Sequence, residues 1–147
     1  MLLATSPALL SQLTFTKLIC NTVGASKPEQ MTAVNGKTVF FALDPAHGKE
    51  LWVTDGTQSG TQLLKDINPG TTGSAGIYFA PFNGKLYFNA NDGTHGPELW
   101  VTDGTTAGTQ LVKDINTGIA SSYPYFFTAF NGKLYFNAAD GTAGAEL

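Results

Sequence analysis

Short runs of hydrophobic residues, separated by segments rich in Gly, Asn and Asp, follow one another along most of this chain. One apolar run, 77–82, is followed at once by Asn83-Gly84, a pair that favours the two-residue turn of a β-hairpin. In a later run, hydrophobic side chains alternate around Trp100 with the period of a strand. The pattern predicts four antiparallel strands in one unit, at residues 77–82, 85–89, 98–102 and 110–115.

The same unit occurs more than once. Residues 50–57 read Glu-Leu-Trp-Val-Thr-Asp-Gly-Thr, and the same eight residues return at 98–105, 48 positions later. Aligned without a gap, residues 49–96 and 97–144 are identical at 32 of their 48 positions. A period of this length is typical of solenoids, propellers and other repeat arrays. The chain is therefore predicted to be a tandem repeat.

Four strands in one unit of this length match the blade of a β-propeller. The fold class is thus predicted to be all-β, with tandem 48-residue, four-stranded antiparallel blades that form an incomplete β-propeller. The repeat array covers residues 35–147, about 2.5 clear copies, and residues 1–34 are interpreted as a degenerate repeat or a leader. Leu147 falls inside the motif strand of a third copy. We therefore expect the chain to self-associate or to be part of a longer array.

The amino-acid composition limits the classes of partner that the chain could bind. Hydrophobic residues make up 42% of the chain, enough to bury a core, and charged residues only 13%. The chain has no Arg and its Lys residues are scattered, which argues against nucleic acid, because phosphate binding needs clustered positive charge. No apolar run is long enough to predict a membrane span. Cys20 is the single cysteine, so an intrachain disulfide is impossible.

A polar loop between the second and third strands of each unit is the candidate ligand-binding region. Loops of this kind commonly carry function when a rigid scaffold presents them. A three-His zinc ring is not expected, since Ala143 stands where the other copies have His, and neither a metal nor another cofactor is predicted. The candidate residues are Asp92, Thr94 and His95 in one copy and Asp44, His47 and Asp140 in the others.

Two further motif positions allow alternative interpretations. Trp52 and Trp100 could stack against sugar rings, but one large aromatic residue at a fixed place in each unit is more typical of packing between blades. Asp55 and Asp103, each followed by Gly-Thr, could ligate a cation. An Asp in such a sequence more commonly bonds to the backbone two residues on. Packing and turn formation are the preferred interpretations.

The sequence contains no Ser/His/Asp or Cys/His arrangement that stands out, and no glycine loop of the phosphate-binding kind. A repeat supplies the same group again, whereas catalysis brings unlike groups together. The chain is therefore predicted not to be an enzyme but a non-catalytic module that binds protein or glycan ligands on its blade rims. The alternative is a fragment of a glycan-active propeller enzyme whose catalytic part lies outside this chain.

The Glu-Leu-Trp-Val-Thr-Asp-Gly-Thr run, with Asn-Gly-Lys-Leu-Tyr-Phe at 83–88 and 131–136, resembles the bacterial ELWxxDGT repeat family. The resemblance covers about residues 35–147. It implies a propeller-type protein that is extracellular or attached to the cell surface, and it implies no particular enzymatic activity. Residues 1–25 fit a secretory leader only loosely, because no positive segment precedes the apolar stretch and Lys17 interrupts it.

Overall fold

The computed structural model describes residues 26–142 and 144–146, in which eleven β-strands and no helix occur. In each of three antiparallel sheets, the neighbours are strands that follow one another in sequence. Sheet I contains β1 (Glu29–Val34), β2 (Lys37–Asp44), β3 (Gly48–Thr54) and β4 (Gln62–Lys65). Sheet II contains β5 (Ile77–Phe82), β6 (Lys85–Asn91), β7 (Pro97–Thr102) and β8 (Gln110–Lys113). Sheet III contains β9 (Tyr125–Phe130), β10 (Lys133–Ala139) and β11 (Ala145–Glu146).

These sheets confirm the predicted all-β class with antiparallel strands. The structure also places β1, residues 29–34, in a pair with β2, so the end of segment 1–34 belongs to sheet I. The expected leader at residues 1–25, with Lys17 and Cys20, lies outside the described residues. Within the described part of the chain, no helix is of a length and hydrophobicity that would let it cross a membrane.

An Asn-Gly pair closes the first hairpin of every sheet. In sheet II, Asn83 and Gly84 have φ angles of 48° and 71°, and the pairs at 35–36 and 131–132 have nearly the same values. Positive φ at both central residues is the type I′ geometry, whose twist matches the twist of the two strands. The hairpin turns predicted from the Asn-Gly pairs are therefore present.

The main hydrophobic core lies between sheets I and II. Phe79 of β5 packs against it, with its ring centroid 5.2 Å from that of Phe41 and 5.6 Å from that of Phe88. Trp100 belongs to this core and is only 6% exposed, which agrees with packing rather than sugar stacking. Trp52 is 7% exposed and packs in a second, smaller cluster on sheet I. The core includes Val39, Phe41, Leu51, Val53, Leu64, Ile67, Leu86, Phe88 and Trp100.

A buried carboxylate ties the segment after the fourth strand to the third strand. Glu98 accepts hydrogen bonds from the N–H groups of Ile115 and Asn116 at 3.0 and 3.4 Å. It also accepts bonds from the N–H and the hydroxyl of Ser122, at 2.9 and 2.6 Å. Glu50 accepts the two equivalent backbone bonds in sheet I, both at 3.0 Å. The first residue of the Glu-Leu-Trp run is thus a structural tether.

This tether explains one error of the sequence prediction. The fourth strand of sheet II was predicted to extend to residue 115, but β8 ends at Lys113. The N–H of Ile115 points to the Glu98 carboxylate and so does not continue the strand ladder. In sheet I, burial raises the pKa of Glu50, and the hydrogen bonds to its carboxylate act in the opposite direction.

The first strands of the three sheets, β1, β5 and β9, lie side by side and are called the inner strands below. Each inner strand has an irregularity in its pairing with the second strand of its sheet. In β5 the register shifts between Ile77 and Ala80. A bulge of this kind bends a strand and turns a side chain in a new direction. The inner strands therefore differ from the regular strands behind them.

Candidate functional site

The polar loops chosen from the sequence fold into tight turns that their own side chains close. Asp92 Oδ1 accepts hydrogen bonds from the N–H groups of Thr94 and His95 and from the Thr94 hydroxyl, each at 2.9 Å. Its Oδ2 lies 2.7 Å from His95 Nδ1. In sheet I, Asp44 Oδ2 lies 3.1 Å from His47 Nδ1. Both oxygens of Asp92 are thus engaged within the loop.

The loop of sheet III repeats this turn. Asp140 Oδ1 accepts hydrogen bonds from the N–H and the hydroxyl of Thr142, both at 2.8 Å. In sheet II the loop also fits closely against the segment that follows β4, because a Cβ atom placed on Gly93 would lie 2.7 Å from Asn68 Oδ1. The candidate loop residues therefore shape the turns, and the Gly93 turn packs against the connection between sheets I and II.

The ionisation of these residues follows from the same contacts. Burial opposes ionisation of Asp92, but hydrogen bonds from His95 and Thr94 outweigh this effect and lower its pKa to about 2. The side-chain bond with Asp92 raises the pKa of His95. Asp44 raises the pKa of His47 through the equivalent bond. The two Asp–His contacts are therefore ion pairs when the imidazoles are protonated.

The other aspartates of the repeat motif act as turn residues. Asp103 Oδ1 accepts bonds from the N–H and the hydroxyl of Thr105 at 2.9 and 2.6 Å, and Asp55 does the same with Thr57. These bonds lower the pKa of both carboxyl groups. Among the described residues, no three His, Cys, Asp or Glu side chains come together in a group that could hold a metal ion.

A groove of about 620 Å³ opens along the inner strands. Residues 78–81 of β5 and 125–127 of β9 form most of its walls, and Gln30 of β1 also lines it. Ala129 and Leu134 of sheet III complete the lining. None of these side chains is charged. The candidate Asp, Thr and His residues of the polar loops are not part of its wall.

One position in each inner strand has an unusual backbone conformation. Gln30, Tyr78 and Phe126 are 48 residues apart, and their φ angles are 58°, 65° and 54°. A non-glycine residue in this left-handed region costs about 1–3 kcal/mol of conformational strain, and such residues cluster at functional sites. All three side chains line the groove. The repeat therefore places one strained residue of each sheet at the same surface.

The aromatic rings at this position are accessible to solvent. Tyr78 is 50% exposed and Phe126 is 75% exposed, although both belong to hydrophobic strands. Tyr125 lies next to Phe126, with their ring centroids 4.6 Å apart. Aromatic rings with nearby hydroxyl groups suit a ligand that is apolar on one side and polar on another. The groove is therefore a second candidate binding site, and the polar loops stay a prediction.

Sequence reasoning directed attention to the polar loops and missed this groove. It predicted apolar strands at 77–82 and 125–130, and both strands are present, but β9 is exposed along most of its length. The sequence did contain one signal of exposed rings in β9, because hydrophobic and polar residues do not alternate there. Aromatic residues at the three successive positions 125–127 must place rings on both faces of a strand.

Comparisons of the chain with protein-family models, with curated proteins and with solved structures found no match.

Proposed function

We propose that this chain is a non-catalytic interaction module, secreted or displayed at a cell surface, that binds a protein or glycan ligand. In this proposal the sheets are blades of an incomplete β-propeller, the inner strands face its axis, and the groove is the binding surface. The observation that carries the proposal is that equivalent bulge residues of all three sheets line one uncharged groove.

The energetic cost of the exposed rings in the inner strands is an argument for a bound ligand. An exposed aromatic ring forgoes the stabilisation of about 25 cal/mol per Å² that burial of its apolar surface would give. Tyr78 and Phe126 combine this exposure with a left-handed backbone. Two unfavourable features at one repeated position are understandable if a bound ligand covers the rings. Exposed apolar patches on a folded protein commonly mark such interaction sites.

The chemistry of the groove favours binding over catalysis. General acid–base catalysis needs a titratable side chain within hydrogen-bond reach of the reacting group. The groove contains no carboxylate, imidazole, thiol or amine side chain, and its titratable side chains are the phenols of Tyr78 and Tyr125. A phenol with no carboxylate or imidazole beside it in the groove favours hydrogen bonding to a ligand over proton transfer. Away from the groove, Glu98 holds a segment in place and Asp92 closes a turn. These contacts give the two carboxylates structural roles.

We also propose that the chain associates with a second copy through exposed hydrophobic residues of sheets II and III. Leu64 in sheet I is 5% exposed, but the equivalent Val112 in sheet II is 45% exposed. Phe130 of β9 is 63% exposed. Light scattering of the purified chain should therefore give a mass above that of the monomer, and Val112→Asp with Phe130→Asp should return the monomer mass. A monomer at all concentrations would contradict this proposal.

The binding proposal is tested by screening the intact chain against a glycan array and a displayed-peptide library. Every specific ligand should bind the Tyr78→Ala, Phe126→Ala double variant at least about tenfold more weakly, because two ring contacts are lost. Ile119→Ala is the matched control, since Ile119 is 81% exposed and does not line the groove.

Three results would contradict the groove as the binding surface. The first is an intact chain that binds nothing in either screen, and the second is a ligand that binds the double variant as well as the parent. The third is binding that persists in the double variant but is lost in Asp92→Asn, which would return the site to the polar loop. Far-UV circular dichroism establishes that each variant is folded.

A further inference from the structure

We propose that the groove binds an uncharged chain of pyranose sugars, and that Tyr78 and Phe126 stack against its rings. This inference rests on the proposed binding function of the groove and names the class of its ligand. Three features of the groove lead to it, namely the absence of charge in its lining, its combination of ring faces with polar groups, and the broken backbone of its strands.

The lining of the groove excludes a strongly charged ligand. Its ten residues include no Asp, Glu, Lys, Arg or His. A carboxylate, sulfate or ammonium group pressed against this lining would lose part of its bound water and find no opposite charge there, which is unfavourable. An acidic polysaccharide and a charged peptide are both disfavoured for this reason. The ligand is therefore neutral where it contacts these residues.

The mixture of groups in the groove matches the surface of a sugar. A pyranose ring has apolar faces of C–H groups and an edge of hydroxyl groups. Phe126 and Tyr78 provide open aromatic faces for the former. The Gln30 amide and the hydroxyls of Tyr78 and Tyr125 can donate and accept hydrogen bonds with the latter. A neutral sugar chain can thus satisfy both kinds of surface.

The backbone of the inner strands disfavours a peptide ligand that would add to the sheet as a further strand. A peptide that adds to a sheet pairs with a continuous row of N–H and C=O groups on an edge strand. β5 is the first strand of its sheet, but its register shifts between Ile77 and Ala80, and Tyr78 has a φ of 65°. Such a bulge interrupts that row. Side chains rather than backbone groups must therefore make the contacts, as in sugar binding.

Calorimetric titration of the full chain tests the inference. The probes are three neutral hexasaccharides, cellohexaose, maltohexaose and mannohexaose, with hyaluronan as an acidic glycan and a polyproline peptide as a non-sugar groove ligand. At least one neutral hexasaccharide should bind with saturation, while hyaluronan should not bind. Its affinity should fall about tenfold in Tyr78→Ala and in Phe126→Ala. It should be unchanged in Ile119→Ala.

The outcomes separate this inference from the proposed function. Failure of all three neutral hexasaccharides, or binding that neither ring variant weakens, would overturn the sugar assignment. If polyproline or hyaluronan binds instead and the ring variants weaken it, the sugar assignment is wrong but the groove still has a binding function. If no probe and no ligand from the wider screens depends on the groove, both proposals are wrong.

Discussion

β7 and β5 belong to the same sheet, separated by β6, but β7 is buried along nearly its whole length whereas β5 is buried only at Ala80. The sequence 98–105, which contains most of β7, repeats without change at 50–57, whereas β5 and β9 share two of six residues. Packing fixes side chains in a buried strand, since a change of one methylene is felt there. An inner strand can vary between copies, and its exposed rings point to a role outside the core.

The largest effect is expected from Trp100→Ala, which tests whether the buried strand β7 stabilises the core. The indole is 6% exposed in the core between sheets I and II, so its removal should lower the free energy of unfolding by about 3–5 kcal/mol. Trp100→Phe keeps an aromatic ring and should cost less. Urea denaturation followed by far-UV circular dichroism measures both. A loss under about 1 kcal/mol for the Ala variant would show that Trp100 is not a core residue.

Removal of the tether in the same strand should have the next largest effect. Glu98→Ala deprives the N–H groups of Ile115 and Asn116 and the Ser122 hydroxyl of their acceptor. The Ser122 N–H keeps a second acceptor, the carbonyl oxygen of Pro97 at 3.1 Å. Each buried donor left unsatisfied costs about 1–3 kcal/mol. Allowing for entry of water, we expect a loss of about 3 kcal/mol in the same assay. Glu98→Gln retains an acceptor oxygen and should lose less. An unchanged midpoint for Glu98→Ala would contradict the tether.

In the inner strand β5, a glycine at position 78 should stabilise the fold relative to alanine, whereas in a regular strand it should destabilise the fold. Gly tolerates the positive φ at position 78, so Tyr78→Gly should be about 0.5–1 kcal/mol more stable than Tyr78→Ala. Both variants lose the ring, so its packing cancels in the comparison. Tyr87 in β6, whose φ is not positive, provides the control. There Gly should be less stable than Ala by about 0.5–1 kcal/mol, and equal signs at the two positions would disprove the strain.

The smallest effect on stability is expected from the Asp92–His95 pair, which lies in a polar loop and not in a buried or an inner strand. The hydrogen bond to Asp92 raises the pKa of His95, so this group stabilises the fold fully below pH 6.5, and its contribution is lost as pH rises through the raised pKa. The contribution of Asp92 is present above pH 3.8 and is lost as pH falls towards 2. The His95 side chain is 39% exposed, so solvent screens the pair and its effect on stability is small.

An NMR titration of the His ring signals measures the shift in the pKa of His95 directly. The His95 midpoint should lie above 6.5 in the parent chain and fall in Asp92→Asn, whereas His47 should be unchanged in that variant because its partner is Asp44. A His95 midpoint that Asp92→Asn does not move would contradict the ion pair.

Features of the chain that depend on local pattern could be predicted from the sequence. The Asn83-Gly84 turn and the Asp103 turn are examples, because neighbouring residues alone determine them. The Glu98 tether could not be predicted, since its partner Ser122 is 24 residues away and only the folded chain brings them together. The left-handed conformation of Tyr78 could not be predicted either, because no glycine marks that position and the conformation lies where the pairing of β5 with β6 is irregular.

The central claim is that the Trp rings of the motif strands are buried in the scaffold, whereas the rings of Tyr78 and Phe126 in the inner strands face solvent. Photochemically induced dynamic nuclear polarisation, which enhances the signals of Tyr, Trp and His rings that a dissolved flavin can touch, tests it without a ligand. Tyr78 is 50% exposed, and Trp52 and Trp100 are 7% and 6% exposed. We predict enhanced signals from Tyr78, assigned through their loss in Tyr78→Phe, and none from either indole. Enhanced indole signals together with a silent Tyr78 would contradict the account.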